Sequence, residues 1–435
     1  MGLQPEPMQS FQAWLAEYPP HEPIWISAGH SVRREGISAL FALECVRKFT
    51  GKRVALGRLA ALELAASLAA LDGVAEALLI LPGDEQAEVR AGWFAEARID
   101  TVLEGDGLGL APLLLAAVAK SPVAEAAPRL ETSWLLATSG TTGAPKLIEH
   151  TLASLTRALA RRAAREHFRW GSLYSLRRFA GLQVFLQAFA GGTPLILQED
   201  GLPFGDRIAN LVRERCNALS ATPSMWRKLA MHPLFAELQL LQITLGGEIV
   251  DQSVLDLLAL RFPQARITHI YASTEAGVGF AVRDGRAGFP AEYLQEASGR
   301  AEMKIDHAGH LWFRTDQWID SGDVVRVDAG RVYFIGRANG SINVGGNKVM
   351  PEEVEAVICE MAEVAFVSVR ARKNPIMGSL VEAAVLPAPG ITLDVALKTK
   401  IIGYCRERLE PFKVPAFVVE VADIPLTMAG KLSRA

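Results

Sequence analysis

Between Arg53 and Asp84 the chain reads RVALGRLAALELAASLAALDGVAEALLILPGD: a short apolar run, an Ala/Leu-rich helical stretch, then a second apolar run. Two strands that are apolar on both faces and joined through a helix pair in parallel, because the crossover returns the chain to the same end of the sheet. The rhythm recurs in GTPLILQ (192–198), the helical DRIANLVRERC (206–216), ALSATP (218–223) and LLQITLGGE (240–248). Such repetition predicts an α/β protein whose large N-terminal domain has layered, mostly parallel sheets with helices. The run LWFRT (311–315) and the pair VVRVDAGRVYFIGR (324–337), turning at Ala329-Gly330, read as an antiparallel part of that domain.

After GRANGS (336–341) the pattern changes to a Gly-rich loop, a helix headed by Pro351, two strand-like runs (364–372 and 381–387) and a helix from Leu393 to about Leu409. Residues 338–435 are expected to form a small α+β domain, and 1–337 the large domain. No low-complexity linker separates them, which predicts a short hinge near Asn339.

Composition narrows the partners. Forty-five Lys and Arg against 48 Asp and Glu leave none of the basic excess of a nucleic-acid binder, so a small-molecule substrate is expected. Cys45, Cys216, Cys359 and Cys405 lack any CxxC spacing and are expected as free thiols in a reducing cytoplasm. MGLQPEPMQS has no basic segment followed by an apolar one, and Glu6 stands where a myristoylation signal needs Ser or Thr. The apolar stretch Leu59 to Leu71 carries Glu63 and is too short to span a bilayer. A soluble, cytoplasmic protein, monomeric or homodimeric, is the expectation.

Four stretches carry chemistry. SGTTGAPK (139–146) follows a strand-like LLAT and combines Ser139, Gly140, Thr141, Thr142, Gly143 and Lys146. Glycines let backbone N–H groups approach oxygen, hydroxyls donate, and the lysine adds a cation on a long stem. A Walker loop requires Gly-Lys followed by a hydroxyl residue, whereas Pro145 and Leu147 flank Lys146, so this is a phosphate loop of another kind. IYASTEAG (270–277) closes the strand-like ARITHI, where open α/β sheets bind ligands. There Tyr271 offers a flat face, Thr274 a donor and Glu275 a hard oxygen for a metal, although a plain turn fits the stretch read alone. In SGDVVRVD (321–328) Asp323 can accept from both hydroxyls of a ribose, and Arg337 suits ribose or phosphate oxygens; a solvated turn is the bland alternative. PLTMAGKLSR (425–434) presents Lys431, which read alone is an ordinary surface charge.

Taken together and in this order, these stretches resemble the acyl-adenylate-forming superfamily of acyl-CoA synthetases, adenylation domains and beetle luciferases. The likeness runs from Trp134 to Arg434, with GRANGSINVGGNKVMPEEVE similar to the hinge and thioester-forming segment. It implies ATP-dependent activation of a carboxylic acid as an acyl-adenylate, with pyrophosphate released. Transfer to a thiol follows, either coenzyme A or the phosphopantetheine of a carrier protein. By position, Ser139, Thr141, Thr142 and Lys146 would hold the β- and γ-phosphates, Thr274 the α-phosphate, Glu275 the Mg²⁺, and Asp323 with Arg337 the ribose side. Tyr271 with Gly246, Gly247 and Glu248 would frame the adenine and one pocket wall. Lys431 would bridge the carboxylate and the α-phosphate during adenylation. Asn339 would be the hinge, and Gly345, Gly346 and Lys348 would then cover the thiol channel.

Departures from the family pattern bear on the substrate. The chain before the phosphate loop is short, which implies a reduced N-terminal region, Ala272 replaces a glycine, and Gly340 stands where Asp is common. In YSLRRFAGLQ (174–183), Arg178, Phe179 and Gly181 are the tentative acid-pocket residues, with Arg178 either a cation for a second carboxylate or a solvent-facing side chain. Phe179, Trp226 and the glycine pair suggest a small aromatic or short-to-medium aliphatic acid. The basic RARK (370–373) suits the coenzyme A phosphate or an acidic carrier helix equally. A stand-alone carrier-loading enzyme is the alternative, and a catalytically silent nucleotide-binding scaffold the remaining one.

Overall fold

A computed structural model describes residues 10–19, 22–41, 43–115, 130–138, 146–157, 159, 167–274, 277–295, 302–314, 317–427 and 429–434. The chain divides into two compact units: Met1–Ser220 with Leu234–Gln242 and Ser273–Gly277, and Ala221–Pro233 with Ile243–Ala272 and Val278–Ala435.

The first unit is built on the predicted crossover. Arg53–Leu59 lies between Thr101–Gly105 and Ala77–Ile80, parallel to both, and Ala77–Ile80 in turn pairs in parallel with Ser133–Ala137. Ala77–Ile80 is buried along its whole length, as a strand covered on both faces must be. All residues of the connecting helix Ala61–Leu71 are buried, Glu63 among them. The Glu63 carboxylate accepts N–H groups from Leu108 (2.9 Å), Leu110 (3.1 Å) and Ala111 (2.7 Å), so three backbone donors offset the burial of one charge.

The last strand, Leu147–His150, is antiparallel to Ser133–Ala137, with Ala137 opposite Leu147. The SGTTGAPK stretch is therefore the connection of an antiparallel pair. Its ends are pinned where the Thr138 N–H donates to the Lys146 carbonyl at 2.9 Å. A second sheet in this unit orders Ala218–Ala221, Trp170–Ser172, Leu195–Ile196, Trp25–Ser27 and His30–Val32. Of the predicted GTPLILQ strand only Leu195–Ile196 pairs, since Pro194 has no N–H to give to a ladder.

In the second unit Gln242–Gly246, Arg266–Ser273 and Gly277–Val282 are sheet neighbours, accompanied by the helices Pro223–Ala230 and Gln252–Arg261. An antiparallel sheet follows in the order Phe289–Pro290, Arg331–Arg337, Trp318–Asp328, His310–Arg314, Met303–Ile305. Its hairpin turns at Ala329 (φ 46°) and Gly330 (φ 76°), the two positive φ values of a tight turn matched to strand twist.

From Ile342 on, a further sheet runs Asn347–Val349, Ile342–Val344, Gly378–Pro387, Val364–Asn374, with Phe417–Glu420 parallel to Gly378–Pro387. It has its own core, where Val354 and Ile358 of Pro351–Ile358 and Leu397, Ile401 and Cys405 of Val395–Arg408 meet the strands. The second of these helices is capped by Asp394, whose carboxylate accepts the Leu397 N–H at 2.8 Å. On the strand face, the Arg370 and Arg372 guanidiniums both donate to Glu382, at 2.8 Å and 2.9 Å. All four cysteines are free, with Cys216 and Cys405 buried. Among the described residues no helix is long and apolar enough to cross a membrane.

Candidate active site

Asp323 lies in Trp318–Asp328 opposite Arg337 of the neighbouring strand and is 8% exposed. Its Oδ2 accepts the Tyr271 hydroxyl at 2.5 Å, and its Oδ1 is 3.4 Å from Arg337 Nε. Burial raises the Asp323 carboxyl above its usual range, while the Tyr271 hydroxyl and the Arg337 and Lys431 charges draw it back down. The left-handed Gly322 (φ 74°) takes the turn just before it, where a side chain would be strained.

The Tyr271 ring is held parallel to three others, with centroids 4.9 Å from Phe313, 5.3 Å from Phe334 and 5.4 Å from Phe280. Such stacking leaves its phenol fixed in direction, and burial raises the phenol's titration far above the ordinary range.

Lys431 comes to the same region. Its Cε is 3.7 Å from the point a Cβ on Gly247 would occupy, and its charge acts on Asp323. Gly247 adopts φ 82° after the strand end at Gly246. Glu248 is held by main-chain donors: its Oε2 accepts the Ser224 N–H (2.9 Å) and its Oε1 the Leu432 N–H (2.5 Å). Trp226, suggested as a pocket aromatic, is wholly buried and donates Nε1–H to the Thr244 carbonyl (3.1 Å), so it belongs to the core.

In the first unit Lys146 is exposed at the end of the phosphate-loop stretch, while Ser139, Gly140, Thr141, Thr142, Gly143 and Glu275 lie outside the described residues. Thr274 is described, and its carbonyl receives a hydrogen bond from His150 Nε2 at 2.9 Å. His150 closes the strand that follows the SGTTGAPK stretch, and its ring lies 5.9 Å from that of Phe179. Sequence reasoning passed over His150. Its signal was a lone imidazole at the end of the strand leaving that loop.

Arg178 caps the helix Phe179–Ala190, and its Nη2 reaches both Asp84 oxygens, at 2.5 Å and 2.7 Å. The side chain read as either a pocket cation or a solvent-facing one is thus paired to a carboxylate of the chain itself. The neighbouring Arg177 is the buried one, donating to the Gly57 and Leu59 carbonyls. Gly181 is buried where a Cβ would overlap the Ser175 carbonyl, so it is needed for close packing at the start of the helix.

Asn339 stands in the short turn Ala338–Gly340. Gly345 (φ 58°) and Gly346 (φ 91°) form the two-residue turn of a hairpin that carries the exposed Lys348, and a Cβ on Gly345 would overlap Met377. Among the described residues no three acidic, His or Cys side chains converge to hold a metal.

Asp323, the Tyr271 ring stack and Lys431 thus come together within one unit. The AMP-binding enzyme model matches residues 37–320, and that of the AMP-binding enzyme C-terminal domain matches 353–431. The chain belongs to this AMP-binding, acyl-adenylate-forming family.

Among curated relatives, 2-succinylbenzoate–CoA ligase of Geobacillus kaustophilus is 26% identical over 78% of this chain and 76% of that protein. Feruloyl-CoA synthase of an Amycolatopsis species is 27% identical over 69% and 68%. Surfactin synthase subunit 1 of Bacillus subtilis is 27% identical over 69% of this chain, which spans 10% of that protein. Among solved structures, a benzoate CoA ligase from Burkholderia xenovorans superposes with TM-score 0.75 at 20% identity, covering 98% and 99% of the two chains. An anthranilate CoA ligase bound to anthranoyl-AMP gives TM-score 0.75 at 17% identity, covering 98% and 95%.

Proposed function

We propose that the protein is an AMP-forming ligase that joins an aromatic carboxylic acid to a thiol. An acid oxygen attacks the α-phosphorus of ATP, pyrophosphate leaves, and the acyl-adenylate remains. The thiol then loses its proton, its sulfur bonds to the acyl carbon, and AMP departs. The observation that carries this reading is Lys431 beside Gly247 with its charge reaching Asp323, so that one unit brings a cation and a ribose-type acceptor together.

In this reading Asp323 accepts from the ribose hydroxyls, with Arg337 alongside. Tyr271 with Gly246, Gly247 and Glu248 borders the base. Ser139 to Gly143 and Lys146 hold the leaving pyrophosphate, and Thr274 the α-phosphate. Glu275 would supply a carboxylate oxygen to hold Mg²⁺, whose charge would offset that of the phosphates. Lys431 offsets the repulsion of two anions where water is scarce.

Residues 338–435, with a sheet and core of their own, turn about Asn339 after adenylation and bring Gly345, Gly346 and Lys348 over the thiol. Coenzyme A is the acceptor that the two CoA-forming relatives favour, and the surfactin synthase likeness favours carrier pantetheine as the second reading. The free cysteines fit a reducing cytoplasm.

The test is ATP–pyrophosphate exchange over a panel of benzoate, ferulate and 2-succinylbenzoate, in the native chain and in Lys431→Ala. A unit charge about 4 Å from another contributes about 4 kcal/mol at an effective dielectric of about 20, which corresponds to about a thousandfold in rate. Exchange is expected to fall by about that factor, while thiolysis of a supplied acyl-adenylate persists. Retention of exchange by the variant would overturn the reading. Mass spectra of products made with coenzyme A and with a pantetheinylated carrier separate the two acceptors.

A further inference from the structure

Lys431 sits in a tight terminal hairpin. Leu426 bridges Leu432, the Thr427 N–H donates to the Lys431 carbonyl (2.8 Å), and the Ser433 N–H donates to the Pro425 carbonyl (2.9 Å). The hairpin fixes the shape around the lysine but not its aim, which is set by contacts on either side of it. The buried Thr222 hydroxyl donates to the Gly430 carbonyl at 2.7 Å, and the Leu432 N–H donates to Glu248 Oε1 at 2.5 Å. The backbone groups immediately before and after Lys431 are thus each gripped by a side chain from residues 222–248.

Both grips are themselves braced. Thr222 caps the helix Pro223–Ala230 by accepting the Met225 N–H (3.1 Å), and Glu248 binds the same helix end through the Ser224 N–H. Gly430 is left-handed (φ 70°) at a point where a Cβ would overlap Met225 Cε, so the approach tolerates no side chain. Farther along the tail, Lys228 Nζ reaches Asp423 at 2.5 Å.

We propose that Thr222 and Glu248 are positioning residues for the adenylation step: a two-point clamp that aims the Lys431 ammonium and has no part in thiol transfer. The proposal rests on the assignment of Lys431 as the adenylation cation. A misplacement of a fraction of an ångström at such a group lowers rate without abolishing binding.

The experiment compares Thr222→Val, Thr222→Ser, Glu248→Ala and Lys431→Ala with the native full-length chain. The acid is whichever of benzoate, ferulate and 2-succinylbenzoate exchanges fastest. Loss of one grip leaves a backbone group unpaired, and exchange should fall about tenfold in Thr222→Val and in Glu248→Ala. Thr222→Ser keeps the hydroxyl and should stay within about threefold of the native rate. Thiolysis of the supplied adenylate by coenzyme A should stay within about twofold in Thr222→Val.

Independently of any substrate, amide hydrogen exchange in the 425–434 peptide should quicken about tenfold in Thr222→Val and in Glu248→Ala, and not in Thr222→Ser. Equal losses in both half-reactions, a serine variant no better than valine, or unchanged amide exchange would each overturn the clamp. Retained exchange in Lys431→Ala would overturn the assignment beneath it, so the two failures are told apart.

Discussion

Replacing Tyr271 with Phe isolates one hydrogen bond, that of its hydroxyl to Asp323. The ring keeps its parallel neighbours Phe280, Phe313 and Phe334, and only the hydroxyl at 2.5 Å from Asp323 Oδ2 is lost. With Asp323 8% exposed, water cannot readily take its place, and Arg337 remains only at 3.4 Å. A hydrogen bond to a charged group contributes about 1.5–3 kcal/mol, which is the expected loss of stability at about pH 8.

The sign with pH follows from which form the hydroxyl favours. It stabilises the ionised carboxylate, so its loss moves the Asp323 titration further upward. Burial already places that titration above the ordinary carboxylate range. The stability difference between the native chain and Tyr271→Phe should therefore be full above the variant's raised titration and shrink as pH falls through Asp323 protonation. Urea unfolding followed by fluorescence at about pH 8 and again at about pH 5 reads both quantities. A loss of the same size at both pH values would refute the carboxylate argument, and a loss under about 0.5 kcal/mol at the higher pH would refute the hydrogen bond's contribution.

Arg178→Ala removes a half-exposed pair with Asp84, so it should cost at most about 1 kcal/mol and leave the ratio of monoacid to diacid turnover unchanged; selective loss of diacids would return Arg178 to the pocket. Ala329→Gly relieves a left-handed φ of 46° at a hairpin turn and should raise stability by about 0.5–1 kcal/mol in urea melts, with unaltered exchange kinetics. Glu63→Ala leaves one buried and two part-buried N–H groups without their carboxylate acceptor and should destabilise the first unit by about 2–3 kcal/mol, read as a lowered urea midpoint.

Periodicity made the parallel layers readable, because Arg53–Leu59, Ala61–Leu71 and Ala77–Ile80 each bury what their apolar pattern says they must. The turn at Ala329-Gly330 was equally plain, since its flanking runs demanded a short reversal. The partners of individual polar side chains were not legible. Glu248 and Leu432 are 184 residues apart in the chain and Thr222 and Gly430 are 208 apart, distances at which no local pattern signals a contact. Adjacent arginines could not be told apart for a related reason: Arg177 and Arg178 look alike in sequence, and only the chain's path shows that the first is buried against two carbonyls and the second meets Asp84. Trp226 read as a pocket aromatic because burial of an indole depends on a carbonyl, here that of Thr244, from a strand distant in sequence.

The hairpin that carries Lys431 is held through the Gly430 carbonyl and the Leu432 amide, which are main-chain atoms that almost any residue possesses. Natural variation should accordingly be asymmetric. Position 432 can drift among side chains of suitable size, and position 430 is confined to glycine by its left-handed φ and by Met225. The gripping side chains at 222 and 248 have no such latitude. A lineage that changed either would leave its mark by compensating at the other or along the 425–433 backbone, and comparison of related genes would show that linkage as paired substitution across the length of the chain.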